Sequence, residues 1–144
     1  MSEKQIKIGV NILLFNDQEQ LLMGKRLNVE GAGTWALPGG HLEFGEAFTE
    51  GIIRELFEET GLVLEEAVFL NIINEPRDAT HYIQINFIGH TWSGALELKE
   101  PDRCEEWKWV PLSELPDEIF YAHEPILRAF KSGQVYIDEP LEKK

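Results

Sequence analysis

Three glutamates carry the first chemical signal in this chain. Glu55, Glu58 and Glu59 stand at i, i+3 and i+4 within ELFEE. In a helix that spacing puts three carboxylates on one face. Like charges so placed cost a bare helix a few tenths of a kcal/mol per pair. Either solvent absorbs that cost or a cation relieves it. Hard divalent ions with oxygen ligands, Mg²⁺ above all, suit such a cluster and keep positions open for water and phosphate. A charge run is usually just a solvated helix face, so the surrounding spacing has to decide.

The surrounding spacing is specific. Gly40, Glu46, Arg54, Glu55, Leu56, Glu58, Glu59, Gly61 and Leu62 form one spaced set within GGHLEFGEAFTEGIIRELFEETGL. A helix is expected from Glu46 to Thr60, because Ile52, Ile53, Leu56 and Phe57 fall on one broad face. Gly61 follows where a left-handed stop residue is wanted. Before it, Ile6 to Phe15 and Gln20 to Arg26 read as strands around the polar turn Asn16–Glu19. Leu27 to Thr34 reads as a surface loop, and Pro38-Gly39-Gly40 as an abrupt turn. After it, Val63 to Asn74, His81 to Trp92 and Trp107 to Val110 read as strands, with a charged loop from Ser93 to Arg103. Glu124 to Ser132 reads as a short C-terminal helix between Pro125 and Gly133. The tail, about 134–144, is expected to be loosely held. The sum is one α+β domain over 1–144: a mixed sheet with a central helix and a C-terminal helix.

Composition narrows the partners. The chain has 144 residues, 43% apolar, which suffices for a core and argues against disorder. Thirteen Lys and Arg face 26 Asp and Glu, a net charge of −13. That balance repels nucleic-acid polymers and anionic membranes. An anionic ligand would have to be drawn in by something else, and a carboxylate-bound metal ion would do it. The lone Cys104 sits beside Glu105 and Glu106, which disfavours a thiolate. No apolar run is long enough for a membrane helix, and no signal-peptide pattern is visible at MSEKQIKIGV. A cytoplasmic protein is the expectation.

The spaced set matches G-x5-E-x7-R-E-U-x-E-E-x-G-U at every position, so the chain resembles a Nudix hydrolase, with the box at Gly40–Leu62. GKR (Gly24 to Arg26), GAGTWALPGGHLEFGE and CEEWKWVPLSELP (Cys104 to Pro116) resemble the MutT-like branch that hydrolyses nucleoside triphosphates. The resemblance implies an α/β/α sandwich and Mg²⁺ as cofactor, with Mn²⁺ as a substitute. It implies water attack at phosphorus on a small-molecule nucleotide, releasing a nucleoside monophosphate and pyrophosphate. It also implies the site: Glu55 and Glu59 as principal metal ligands, Glu58 completing them, and the Gly40 carbonyl adding an oxygen. The position of Glu55 doubles as a candidate general base. Arg54 would pair with Glu46 from the opposite side of the helix and hold the loop in place. A further ligand or base is expected from a later loop, with Glu105 first and Glu106 and Glu100 as rivals. Arg26, His41 and Gly39 are the substrate-side candidates. Trp35, Phe44, Trp107 and Trp109 are candidates to stack on a base, although such residues more often fill cores. Phe120 and Tyr121 are candidates for the far end. His81, His90 and His123 read as structural. Selectivity is expected from Leu27 to Thr34, Glu75 to Thr80 and Pro116 to His123. Other diphosphate-linked substrates (a nucleoside diphosphate sugar, a dinucleotide polyphosphate, a pterin triphosphate) and a non-catalytic nucleotide-binding module are the alternatives. Relatives of this branch suggest a homodimer.

Overall fold

The computed structural model describes residues 4–141. Its elements run β1 (Gln5–Leu14), β2 (Gln20–Arg26), β3 (Trp35–Ala36), β4 (Gly39–His41), α1 (Phe48–Thr60), β5 (Val63–Pro76), β6 (Thr80–Ser93), β7 (Cys104–Pro111), α2 (Glu124–Ser132) and β8 (Tyr136–Asp138). Five strands form one mixed sheet in the order β4-β1-β6-β5-β8, with β1 parallel to β6 and β5 antiparallel to it. A second sheet has the order β3-β2-β7. The fold is the expected α+β sandwich. Among the described residues no helix is long and apolar enough to cross a membrane.

The interior strand β1, between β4 and β6, is buried on both faces along its second half, as expected for a strand with parallel pairing and covered sides. Val10, Ile12 and Leu14 pack with Ile52 and Leu56 of α1. Leu13 packs on the other face with Ile73, Ile126 and Leu127. The α2 helix covers only part of that second face. Toward the other end of the strands lie Gly9, Asn11, Tyr82, Gln84 and Glu75, and there the sheet floors a cleft.

Four local expectations change. The box helix begins at Phe48, not Glu46, because Glu46 is used before it: its Oε1 accepts the Glu43 N–H at 2.9 Å. Only Ile52 and Leu56 of the apolar set are buried, while Ile53 and Phe57 are 39% and 49% exposed, since each lies about 100° round from its buried neighbour. Gly39 and Gly40, read as part of a turn, continue as β4 along the free edge of β1, pairing Asn11 with Gly39 and Val10 with Gly40. The tail is tied down in part: Tyr136–Asp138 pairs parallel with Ile72–Asn74, and Asn74 Nδ2 donates to Asp138 Oδ1 at 2.8 Å. Residues 142–144 lie outside the described residues. Gly61 caps α1 as expected, at φ 78°, donating to the Phe57 carbonyl.

His123 joins the two layers. Its Nδ1 accepts the Leu37 N–H at 3.0 Å, it is 6% exposed, and burial holds its pKa down at about 3. An imidazole whose folded pKa lies below its unfolded value stabilises the fold fully above about pH 6.5 and progressively less as pH falls toward 3. Each unit of that gap is worth about 1.4 kcal/mol. Denaturant melts between pH 7 and pH 4 should therefore show a stability loss that His123→Asn, which keeps an acceptor and cannot gain the proton, reduces.

Candidate active site

The cleft has a volume of about 540 Å³ and runs from the acidic face of α1 to the outer end of β5. Its catalytic end is built where α1 meets the edge strand β4. Glu59 Oε1 accepts the Gly39 N–H at 3.0 Å. A Cβ on Gly40 would stand 2.4 Å from the Glu55 carboxyl carbon, so only glycine lets this carboxylate lie against the strand. Glu58 lines the same wall but is half exposed.

Arg54 organises the approach. Its Nε lies 2.6 Å from Glu46 Oε2, its Nη1 lies 2.9 Å from Glu55 Oε1 and 3.1 Å from Glu58 Oε1, and its Nη2 donates to the His41 carbonyl at 3.0 Å. The Glu46 pairing is the expected one. The contacts to Glu55 and Glu58 correct the expected placement: the guanidinium reaches round to the acidic face instead of staying opposite it. One planar fork thus ties the pre-helix turn, β4 and the carboxylates together. Arg54→Lys cannot span these partners, and a loss of roughly 10–100-fold in activity is expected. A steady-state assay, with melting to confirm folding, checks it.

The charges are strained in the way a cation would relieve. Burial pushes the Glu59 carboxyl well above the usual carboxylate range, and Glu55 and Glu100 add to the push. Burial also raises Glu55, against the pull of Arg54 and with help from Glu58 and Glu100. Among the described residues no three acidic, His or Cys side chains are already drawn together at coordination distance. Glu55 and Glu58 are instead held by Arg54, and Glu59 by Gly39. The donor set remains all hard oxygen, at the mouth of a cleft that holds Glu30, Glu43, Glu55, Glu58, Glu59, Glu75 and Glu100 against Lys25, Arg26, Arg54, Arg77 and Arg103. Oxygen donors in excess of cations fit Mg²⁺ or Mn²⁺.

The later-loop candidate changes. Glu105 does not line the cleft; it pairs with Lys25 at 3.2 Å and is half exposed. The register between β2 and β7 slips between Gly24 and Arg26, so strand alternation does not carry Glu105 inward. Glu100, the rival, lines the cleft, and its charge acts on both Glu55 and Glu59. Glu106 does not line it. Cys104 does, with its thiol pushed up to about 11 by burial, so it stays protonated.

On the substrate side, Gly39, Arg26 and His41 all line the cleft. Arg26 lies 3.8 Å over the Phe120 ring, and burial lowers its pKa. His41 faces Tyr82, with ring centroids 5.7 Å apart. Trp107, Phe120 and Tyr121 line the cleft, whereas Trp35, Phe44 and Trp109 do not. Phe44 is fully exposed, and Trp109 stacks on Trp92. Each of the three stretches expected to carry selectivity reaches the cleft, through Val29 and Glu30, Glu75 and Arg77, and Phe120 to His123.

Residues 5–130 match the NUDIX domain family. The chain belongs to the Nudix hydrolase family. An ADP-ribose pyrophosphatase from Methanocaldococcus jannaschii is 36% identical over 125 residues, covering 85% of this chain and 72% of that one. An RNA pyrophosphohydrolase from Novosphingobium aromaticivorans is 29% identical over 132 residues, covering 76% and 80%. The crystal structure of a MutT Nudix hydrolase from Burkholderia pseudomallei superposes with a TM-score of 0.80 at 31% identity, covering 87% of this chain and 98% of that one. Nudix hydrolases generally use divalent metal ions and act on diphosphate-linked substrates, and the box glutamates of this one stand at the cleft described above.

The polar floor was not legible as part of a site. Asn11 Nδ2 donates to Gln84 Oε1 at 2.8 Å and to Asn86 Oδ1 at 3.0 Å, and Asn86 donates to Asn71 at 2.9 Å. These amides are buried and cross three strands. In the sequence they stand only as isolated polar residues within strands β1, β5 and β6.

Proposed function

We propose that this Nudix hydrolase converts nucleoside triphosphates, normal or modified, to nucleoside monophosphate and pyrophosphate, with Mg²⁺ or Mn²⁺ bound by Glu55, Glu58, Glu59 and the Gly40 carbonyl. One observation carries the reading: a single cleft joins the strained Glu55–Glu59 pair to an end lined by Phe120, Tyr121 and Tyr82, so phosphates and a flat ring fit at opposite ends. Glu100 replaces Glu105 as the loop carboxylate that faces the site. The bound ion supplies neutralisation of the phosphate oxygens. The chain's own groups do the rest. Lys25, Arg26 and Arg103 line the cleft, and their charges would balance that of the phosphate chain. Glu55, held by Arg54 and kept from full solvation, is poised to take a proton from the attacking water on its free carboxylate oxygen. Gly39 N–H and Arg54 hold Glu59 and Glu55 against β4, and from there the carboxylates would turn together toward an ion.

A second reading stays within the same chemistry. The 36% identical relative is an ADP-ribose pyrophosphatase, and the far end of the cleft offers room and hydrogen-bonding side chains for a nucleoside diphosphate sugar. The test is product analysis over a panel of nucleoside triphosphates, nucleoside diphosphate sugars and dinucleotide polyphosphates, each with Mg²⁺ and with chelator. Pyrophosphate released from triphosphates at the highest kcat/KM supports the first reading. Preferential cleavage of ADP-ribose to two monophosphates supports the second. No metal-dependent product from any member overturns both.

A further inference from the structure

Glu75 has no part in the chemistry above, yet it is the most buried carboxylate among the described residues, at 1% exposure. Its Oε2 faces Arg77 Nη2 at 3.2 Å. The Gln84 side chain is near enough to favour the ionised form but completes no hydrogen bond to Oε1, which is buried and has no partner. Burial pushes this carboxyl up to about 7. Leaving a buried carboxylate oxygen unpaired is costly, and a position needing only to be filled would be served better by an amide or an aliphatic side chain. The unpaired oxygen, itself buried, belongs to a residue that lines the cleft.

Its place in the sheet gives it a partner class. In the order β4-β1-β6-β5, Glu75 sits three strand spacings, about 14 Å, from the strand that carries Gly39 and Gly40. Around it are flat faces: Tyr82, its cross-strand neighbour, and Tyr121, over which Arg77 lies at 4.9 Å. Phe120 beneath Arg26 completes this end. Planar surfaces beside one open acceptor suit a heteroaromatic ring with a hydrogen-bond donor on its edge.

We propose that Glu75 is a specificity-determining residue: its Oε1 accepts a hydrogen bond from an amino group on the edge of the substrate's nucleobase, so the cleft favours bases carrying that amine over counterparts with a carbonyl or a hydrogen in its place. Above its raised pKa of about 7 the carboxylate only accepts, so at alkaline pH a carbonyl at that point sets acceptor against acceptor, and a hydrogen leaves the buried oxygen unpaired. The inference deepens the proposed function and rests on it, because a base meets Glu75 only when the phosphates lie along Glu55 and Glu59.

The experiment compares kcat/KM for triphosphate pairs that differ in one amine, guanosine with inosine, adenosine with inosine and cytidine with uridine, in wild type, Glu75→Gln and Glu75→Ala. The expected result is a preference of roughly 100-fold for the amino member of at least one pair in wild type. Glu75→Gln, which donates as well as accepts, should bring that ratio near unity by raising KM for the amino member and improving the carbonyl member, without a lower melting temperature. Glu75→Ala should lose the preference through the amino member alone. Hydrolysis with no preference in any pair, or a preference both variants keep, overturns the role of Glu75 and leaves the proposed function standing. Absence of hydrolysis of every triphosphate overturns the proposed function itself.

Discussion

Glu59→Gln should reduce kcat by about 10³-fold while leaving the fold as stable as wild type or more so. The amide keeps an oxygen for the Gly39 N–H and almost the same shape, so packing at the α1–β4 junction is preserved. What disappears is a negative charge that burial and the neighbouring Glu55 and Glu100 already disfavour. Removing a disfavoured charge does not harm the empty protein. It does harm a protein that needs that charge to hold a divalent ion against phosphate. The opposite signs on activity and stability distinguish a functional carboxylate from a structural one. Steady-state rates and thermal melts on the same preparation measure both.

Gly40→Ala is the second large effect, of about 10²-fold on kcat/KM. The added methyl would meet the Glu55 carboxyl at 2.4 Å, and since that group ends a flexible side chain, the carboxylate swings away and the backbone stays. The Arg54–Glu55 contact is then lost or redirected. Melting should change little, because no core residue is disturbed. A large fall in melting temperature together with the loss of rate would instead mean that the methyl had prised β4 from β1.

The box was legible because its requirements are local. Helical spacing alone puts Glu55, Glu58 and Glu59 on one face, and a helix stop fixes Gly61. The amphipathic helix α2 was likewise readable, because its core face and its Pro and Gly ends are set locally. The misses arise where position depends on distant chain. Glu105 and Glu100 are both acidic and lie close in sequence, and only the slip in the β2–β7 register turns the first outward to Lys25. Arg54 was placed correctly by its pairing with Glu46 but not by its reach, since a long side chain crosses the helix surface toward whichever carboxylates await it. Glu75 was legible only as the first residue of a stretch expected to carry selectivity, not as a buried carboxylate. Its burial depends on pairing with β6 and on Arg77, which itself lies against Tyr121, and β6 and Tyr121 come from distant chain.

The proposed function requires Glu55 and Glu59 to share a divalent cation that compensates their crowding. Calorimetric titration of Mn²⁺ into the nucleotide-free protein, repeated in buffers of different protonation enthalpy, addresses this without any assumption about substrate. Uptake should be accompanied by proton release, because Glu59 is raised toward its protonated form by burial, and Glu59→Gln should bind at least tenfold more weakly with the proton release gone. Equal Mn²⁺ affinity in wild type and variant, or no uptake by the wild-type chain, would contradict it.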